Sequence, residues 1–344
     1  MPGVHDVPYL TSSSIMEVDF LPEHLIVVGG SYIGLEFAQM YRRFGSRVTV
    51  MQRNGRLVAR EDEDVSATIK DILENEGIEM RVSAECAALE KRGSHIAVTS
   101  NCPDGAQEVV GSHVVLAVGR IPNTADLGLK AAGVETDRRG FIKVDDQLRT
   151  NVPGIWALGD ANGRGAFTHT SYNDYEILAA NLFDDDQRRV SDRITAYGLF
   201  IDPPLGRVGM TQTQVRESGR QALVGTMLMS RVGRAKERRE TQGFMKVLVD
   251  AQTQQIRGAS ILGISGDEII HSLLDVMYAD APYTVIQRAI HIHPTVTELT
   301  PTLLADLRPL DGSANKGPCG RSAYSFRSHR TRAIKPSEIR RDLR

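Results

Sequence analysis

Cysteine is scarce in this chain, and charge of neither sign dominates it. The three cysteines, Cys86, Cys102 and Cys319, have the spacing of neither a disulfide framework nor a zinc site. The formal net charge of −2 argues against general affinity for nucleic acid. No apolar run reaches the roughly 18 to 20 residues of a membrane span, and residues 1–10 lack the features of a signal peptide. We therefore predict a cytoplasmic protein with no metal site, no nucleic-acid partner and no membrane association.

The most informative motif is the stretch LIVVGGSYIGLE at residues 25–36. A short apolar run ends in the pattern G-x-S-x-x-G, an amphipathic run follows at 35–44, and residues 48–51 are typical of a second strand. Strand, glycine-rich turn, helix and parallel strand in this order indicate a dinucleotide-binding unit. The glycines let the backbone approach a pyrophosphate, which the N-terminus of the helix attracts. The alternative is a glycine-rich turn in another kind of α/β domain.

Hydrophobic periodicity and turn residues predict the remaining elements. A helix at 65–76 precedes several short strands, and a second helix at 172–183 follows an apolar strand at 155–158. From about residue 193 a run of strands suggests an antiparallel sheet with two helices. The basic stretch 231–240 is predicted to be a solvated loop. The other predicted strands lie at 79–83, 86–90, 95–99, 107–110, 113–118, 196–201, 222–231, 244–249 and 256–262, and the late helices at 212–218 and 267–279.

Two further motifs carry side chains suited to binding or chemistry. Asp160 directly follows a glycine at the end of a predicted strand, where a carboxylate can accept hydrogen bonds from ligand hydroxyls, although Asp is also a common turn residue. In HIHPTVTE, His293 and Glu298 form a candidate acid/base pair, because a carboxylate can orient an imidazole and raise its pKa. Residues 295–298 equally match a T-x-x-E capping box, and the sequence leaves both interpretations open.

Residues 311–344 differ in composition from the rest of the chain. They contain nine Lys and Arg against three Asp and Glu, with few apolar residues. Such a composition cannot bury a core, so we predict a disordered basic tail. An RNA-binding arm is an alternative that no other feature of the sequence supports.

Four motifs, taken together and in this order, resemble those of the class I pyridine nucleotide-disulfide oxidoreductases. This family includes dihydrolipoamide dehydrogenase, glutathione reductase and mercuric reductase. The motifs are VVGGSYIGLEFA at 27–38, LAVGRIPNT at 116–124, TNVPGIWALGD at 150–160 and HIHPTVTE at 291–298. Four motifs in the right order are far more specific than any one alone. The resemblance covers about residues 4–310 and is closest to mercuric-reductase-like flavoproteins.

The resemblance implies a fold class and a domain organisation. It implies an α/β Rossmann-like nucleotide-binding domain with a partial FAD domain, followed by an α+β dimerisation domain that makes a homodimer. In this scheme an N-terminal segment occupies 1–21, the NAD(P)-binding domain 22–120, the C-terminal half of an FAD-binding domain 121–190, the dimerisation domain 195–310, and the disordered basic tail 311–344.

Family knowledge also implies roles for single residues. The loop that would hold the NAD(P)H pyrophosphate consists of Gly29, Gly30, Ser31 and Gly34, with Ile33 counted among the cofactor-binding residues. Tyr32 matches a tyrosine that covers the nicotinamide pocket, Glu36 matches the carboxylate beside it, and Gly119 matches a backbone contact to the nicotinamide half.

The remaining implied roles concern the flavin and the acid/base pair. Asp160 matches the aspartate that binds the ribityl chain of FAD, and Thr168 and His169 match the segment that runs past the flavin ring. His293, held by Glu298, matches the catalytic acid/base that crosses the dimer interface into the partner's active site.

The residues after the second strand favour NADPH over NADH. NAD-selective members carry a Glu there that binds the ribose hydroxyls, whereas this chain has Gln52 followed by Arg53. A carboxylate would repel a 2′-phosphate, and an arginine can pair with it. Arg56 and Arg60 lie nearby in the sequence. NADH remains the alternative.

The chain departs from the family pattern at its start. Family members open with a flavin-binding βαβ unit and a C-x-x-x-x-C redox pair, and neither occurs in this sequence. We therefore expect a fragment without the redox disulfide, acting as an FAD-dependent NAD(P)H oxidoreductase with a small-molecule electron acceptor. The alternative is a non-catalytic nucleotide-binding and dimerising remnant.

Overall fold

The computed structural model describes residues 1–102 and 105–310, so the predicted basic tail at 311–344 lies outside the described residues. The first elements are β1 (His24–Val28), α1 (Tyr32–Phe44), β2 (Arg47–Met51), α2 (Glu63–Asn75), β3 (Glu79–Arg81), β4 (Glu85–Arg92), β5 (His95–Cys102), β6 (Gly105–Gly111) and β7 (His113–Leu116). Four of these strands form a parallel sheet in the order β3-β2-β1-β7, while β4, β5 and β6 form an antiparallel sheet. The predicted elements of this region are confirmed, with shifts at their ends.

Strand β1 lies at the centre of the parallel sheet because its apolar side chains can be buried on both faces. All of its residues are buried, as expected for a parallel strand that is covered on both sides. Its last residue, Val28, pairs with Met51 of β2 on one side and with Leu116 of β7 on the other. Helix α1 is capped at its C-terminus by Gly45, whose φ of 113° is left-handed and is adopted readily by glycine.

The chain between β7 and residue 192 winds around a small core formed by Val134, Ile142 and Ala157. The predicted strand at 155–158 is wrong, because among the described residues only Trp156 of this stretch pairs, through an isolated bridge to Arg149. The flanking backbone forms turns, so the apolar run has no neighbouring strand to complete a ladder. Helix α3 (Thr168–Phe183) then begins at 168 rather than 172.

The last part of the described chain is built on an antiparallel sheet, as predicted, but the sheet has six strands where the sequence predicted four. Its elements are β8 (Ala196–Leu199), β9 (Leu205–Gly209), α4 (Gln212–Glu217), β10 (Ala222–Leu228), α5 (Gly233–Arg238), β11 (Phe244–Asp250), β12 (Ile256–Leu262), α6 (Gly266–Tyr278), α7 (Thr284–Gln287), α8 (Thr300–Ala305) and β13 (Arg308–Pro309). The strands lie in the order β13-β10-β11-β12-β9-β8. Within the described ranges, no helix is long and apolar enough to cross a membrane.

The stretch 231–240, predicted to be a solvated loop, instead contains the short helix α5. Val232 and Ala235 are fully buried and belong to the core of the six-stranded antiparallel sheet, which is called the second sheet from here on. The basic side chains around them stay largely exposed. The prediction was wrong because the abundance of charge concealed two apolar positions that fix the segment to the core.

Candidate functional site

The parallel sheet has a topological switch point between β1 and β7 at its carboxyl edge, which is where a ligand crevice is expected. From β1 the chain runs through α1 to β2 on one side, whereas β7 lies on the other side. Ligands of open α/β sheets bind at such a switch point, outside the carboxyl ends of the strands. The sheet continues briefly past both strands, because the amide of Ala117 donates to the carbonyl of Val28 and the amide of Gly29 to that of Met51.

The turn that leads from β1 into α1 is packed too closely for side chains. A Cβ on Gly29, whose φ is +120°, would lie 2.3 Å from the carbonyl oxygen of Ala117, and one on Gly34 would lie 2.0 Å from that of Gly29. Ser31 is the extended N-cap of α1, is exposed, and makes no side-chain capping bond. The first turn of α1 therefore presents amide groups that suit a pyrophosphate.

Gln52, at the end of β2, braces this turn. Its Oε1 accepts a hydrogen bond from the amide of Gly30 at 3.0 Å, and its Nε2 donates to the carbonyl of Arg56 at 3.4 Å. Arg53 is exposed next to it. A cavity of about 510 Å³ lies beside this loop and is lined by Asn54, Gly55, Arg56, Ala59 and Glu63.

Tyr32, the first residue of α1, belongs to a cluster of four rings. It meets Tyr197 and Phe167 edge-on, with ring centroids 5.5 Å and 6.2 Å away. Phe167 in turn stacks on Tyr197 and on His169, and Nε2 of His169 lies 2.8 Å from the carbonyl of Ala196. Burial raises the pKa of Tyr32 to about 12. The structure thus brings the glycine-rich turn and the 167–169 segment together.

Two other predicted residues of α1, Ile33 and Glu36, are half-buried. Oε1 of Glu36 accepts a hydrogen bond from the amide of Phe200 at 2.9 Å, and burial raises the pKa of this carboxyl group. Ile33 is half-buried in the first helical turn. Both residues follow the glycine-rich turn directly in the sequence, whereas the hydrogen-bond partner of Glu36 comes from the segment after β8.

Asp160 is the second residue of a short 3-10 turn, Gly159–Asn162, whose backbone is held by a buried side chain of α3. Oδ2 of buried Asp174 accepts hydrogen bonds from the amide of Gly159 and from Nδ2 of Asn162, both at 2.8 Å. Asp160 itself is half-exposed and forms an ion pair with Arg120 at 3.2 Å. The predicted flavin contact is therefore accessible, although its carboxylate already has a cationic partner.

The other predicted residues of this region lie on either side of that turn. Gly119 has a φ of +135° and open space around its Cβ position, so its backbone is accessible. Thr168 is the first residue of α3. Asp160 thus offers an exposed carboxylate, and the polar start of α3 follows it a few residues later in the sequence.

His293 and Glu298 are in contact, as the acid/base interpretation predicts. Nδ1 of His293 lies 2.8 Å from Oε2 of Glu298, and the imidazole is 81% exposed whereas the carboxylate is 14% exposed. The capping interpretation is met in part, because the amide of Glu298 donates to Oγ1 of Thr295 at 3.2 Å. The segment 293–298 therefore contains both the histidine–carboxylate contact and one bond of the capping box. The side chain of Glu298 contacts His293.

A buried ionic network next to the ring cluster was not predicted. Tyr197 donates to Oε1 of Glu61 at 2.6 Å, and Nη2 of Arg207 lies 3.2 Å from Oε2 of the same carboxylate. Nζ of Lys246 lies 2.9 Å from Asp62. All of these charged groups are almost fully buried. In the sequence, the run Arg-Glu-Asp-Glu-Asp at 60–64 looks like a solvated surface, and no local signal identifies its partners.

Two further observations concern possible metal ligands and the cysteines. Residues 1–102 and 105–310 contain no group of three or more His, Cys, Asp or Glu side chains placed to hold a metal ion. Cys86 is half-buried, its Sγ lies 3.4 Å from Sδ of Met1, and burial raises the pKa of its thiol. Cys319 lies outside the described residues.

The parallel sheet with its glycine-rich turn defines a dinucleotide-binding fold, and the six-stranded sheet with its helices packs against it within one compact unit, residues 1–310. Comparison with protein families agrees. Residues 1–174 match the family described as pyridine nucleotide-disulphide oxidoreductase, and residues 195–304 match the dimerisation domain of that family. The chain therefore belongs to the pyridine nucleotide-disulphide oxidoreductase family, and the predicted family and fold class are confirmed.

Individual relatives are similar over most of this chain. It is 37% identical to the probable pyridine nucleotide-disulfide oxidoreductase RclA of Escherichia coli over 86% of its length, and 35% identical to a mercuric reductase of Streptomyces lividans over the same share. It spans 66% and 62% of these two relatives. A structure of the HOCl-induced flavoprotein disulfide reductase RclA matches 89% of this chain and 70% of its own, with a TM-score of 0.83 and 34% identity.

Proposed function

We propose that the chain is a flavin-dependent NAD(P)H oxidoreductase that works as a homodimer and delivers electrons to a small-molecule acceptor. One observation carries the proposal: the turn suited to a pyrophosphate and the 167–169 segment, matched to the flavin site, meet in one ring cluster around Tyr32. Nicotinamide and flavin must approach each other for transfer, and contact between these two segments supports the proposal that their sites are neighbours. Anaerobic reduction of added FAD by NADPH tests the proposal.

The nucleotide side of the mechanism follows from the turn after β1. Amides of the first turn of α1 bind the pyrophosphate, and Gln52 holds Gly30 in place for them. Tyr32 excludes water from the nicotinamide end. Bound FAD would supply the two-electron chemistry that links hydride transfer from NADPH to reduction of the acceptor. Asp160 would hold the ribityl hydroxyls, and its exposed carboxylate fits that purpose once it exchanges Arg120 for the ligand.

The second sheet would supply the proton chemistry and the dimer. With Glu298 accepting the Nδ1 proton of His293, the imidazole presents Nε2 to solvent, where it can take up or release a proton. The match to the family's dimerisation domain supports a homodimer. The cysteine usage supports a cytoplasmic location as part of the same proposal.

The alternative is a nucleotide-binding, dimerising protein without catalysis. The ion pair between Arg120 and Asp160 favours it, because the carboxylate then already has a partner. The two proposals differ in flavin uptake, which only the first requires.

The chain should bind NADPH more tightly than NADH. Arg53 is exposed beside the loop that Gln52 closes, and a guanidinium that pairs with the 2′-phosphate contributes about 1.5–3 kcal/mol. The change Arg53→Glu should reverse the preference, as measured by titration with each nucleotide. Arg231→Glu, an exposed arginine beside the second sheet, is the matched control and should leave both affinities as they are. Equal affinities in the unaltered protein would refute this prediction.

Light scattering of the full chain at micromolar concentration should report a dimer. Ile292 is 80% exposed within one chain and lies beside His293, where the family resemblance places the two-fold contact. Ile292→Glu should therefore shift the mass to that of a monomer. Phe44→Glu, at a 61% exposed apolar site on α1, should leave the dimer intact. A monomeric unaltered chain would contradict the proposed dimer.

A further inference from the structure

We propose that Tyr197 is a positioning residue of the nucleotide site: anchored by Glu61, its ring holds that of Tyr32 over the place where the nicotinamide half binds. The inference rests on the proposed function, since it requires a nucleotide in the crevice beside β1. Neither Tyr197 nor Glu61 belongs to the motifs that carry the family resemblance. Tyr197 lies on β8 of the second sheet. Its contact with Tyr32 therefore lets a residue of the second sheet influence a site that is built on the parallel sheet.

The ring of Tyr32 is held on two sides. The planes of Tyr32 and Tyr197 meet at 82° with centroids 5.5 Å apart, and Phe167 meets Tyr32 at 89°. Edge-to-face contacts of this kind are favourable beyond the area that they bury. Phe167 also stacks on Tyr197 at 5.7 Å. A ligand that displaces the ring of Tyr32 must therefore break contacts with a rigid pair.

Tyr197 is fixed because its hydroxyl group has a buried acceptor. It donates to Glu61, whose exposed fraction is 1%. Tyr197 and Arg207 are direct partners across β8 and β9, so their side chains share one face of the sheet and converge on the same carboxylate. Moving Tyr197 would leave buried Glu61 with one partner fewer, which is strongly unfavourable in the protein interior.

The position of Tyr32 assigns it to the nicotinamide half. The adenosine half of a dinucleotide lies at the end of the second strand of the unit, where Gln52 and Arg53 stand. The groups around Tyr32 come instead from β8 and from the segment before α3. Its ring therefore occupies the part of the site away from the adenosine.

The hydroxyl group of Tyr32 adds little to holding the ring in place. It is buried next to the hydroxyl group of Tyr197, which affects its pKa, but it forms no hydrogen bond of good geometry among the described residues. A buried hydroxyl without a partner is unfavourable and regains hydration when the ring turns outward. The ring contacts with Tyr197 and Phe167 thus oppose displacement of the Tyr32 ring, and changing Tyr197 should change the affinity for any ligand that needs the space.

The test compares two ligands that share the adenosine half. In Tyr197→Leu, NADPH should bind about three- to tenfold more tightly, because its nicotinamide no longer breaks the edge contact. The fragment 2′,5′-ADP, which has no nicotinamide, should bind as before. In a Tyr32→Leu background the same substitution should change neither affinity, since Tyr197 acts through Tyr32. Fluorescence or calorimetric titration of the full chain provides both constants.

Each outcome decides the inference. An unchanged NADPH affinity, an equal shift for 2′,5′-ADP, or a gain that persists without Tyr32 would overturn it. If Tyr197→Leu does not fold, the variant Tyr197→Phe takes its place, because it removes the hydrogen bond to Glu61. NADPH binding that becomes tighter relative to 2′,5′-ADP binding supports the inference. Unchanged relative affinities overturn it. An unaltered chain that binds neither ligand refutes the proposed function as well, whereas binding without the difference refutes only this inference.

Discussion

Replacing Ser31 with aspartate should weaken NADPH binding about 10- to 100-fold, while the protein folds at least as well as before. Ser31 is exposed and extended at the N-cap of α1, and the proposed pyrophosphate lies against the amides that follow it. An aspartate there caps the helix and suits its dipole. The same carboxylate repels the phosphates at close range. Stability and affinity should thus move in opposite directions.

Ser31→Asn is the matched control, because it has the shape and capping ability of aspartate without the charge. It should retain most of the affinity for NADPH in a titration, and thermal unfolding should show both variants to be folded. If the aspartate and asparagine variants bind alike, the pyrophosphate does not lie at this turn.

Replacing Lys246 with methionine should lower the free energy of unfolding by about 3–5 kcal/mol, the usual effect of removing one partner from a buried ion pair. The side chain of Lys246 is 1% exposed and lies 2.9 Å from Asp62 and 2.7 Å from Asp64. Methionine fills a similar volume, so the loss is electrostatic. Lys236→Met, at an exposed position on α5, is the control and should change stability by less than about 0.5 kcal/mol in urea unfolding.

The loss of stability caused by Lys246→Met should become smaller as the pH falls. Burial alone would raise the pKa of Asp62, but the ammonium of Lys246 and the amide of Gln212 hold it below its usual value. A carboxyl group with a lowered pKa stabilises the fold above its unfolded pKa of about 3.9 and loses this contribution as the pH falls. The difference between Lys246→Met and the unaltered chain should therefore narrow in acid. A difference that stays constant with pH would contradict the role of the ion pair.

The nucleotide-binding unit could be predicted from sequence because its signals are local. The apolar run of β1, its glycine-rich turn and the helical periodicity of α1 all lie within residues 24–44. The sequence predicts the start of α1 three residues too late, at 35 instead of Tyr32, because the first helical turn contains a glycine, Gly34, which is unfavourable in helices. The strand predicted at 155–158 failed because strand formation depends on a neighbour that no local pattern reveals.

The groups around the site could not be predicted, because they are distant in sequence. Tyr197 and Glu61 are 136 residues apart, and Lys246 and Asp62 are 184 apart. Glu61 and Asp62 lie in a run of charged residues of a kind that is usually solvated. These two side chains are buried where the second sheet packs against the run. His293 and Glu298 were found because five positions separate them.

The most direct test of the central claim is an anaerobic titration of the full chain with NADPH, after incubation with FAD and removal of the unbound flavin. The visible absorbance of the retained flavin should bleach in proportion to the NADPH added, and the number of free thiols should stay constant. A protein that retains no FAD, or whose flavin stays oxidised with excess NADPH, would contradict the claim and favour the non-catalytic alternative. A new pair of thiols on reduction would instead show that a redox disulfide takes part.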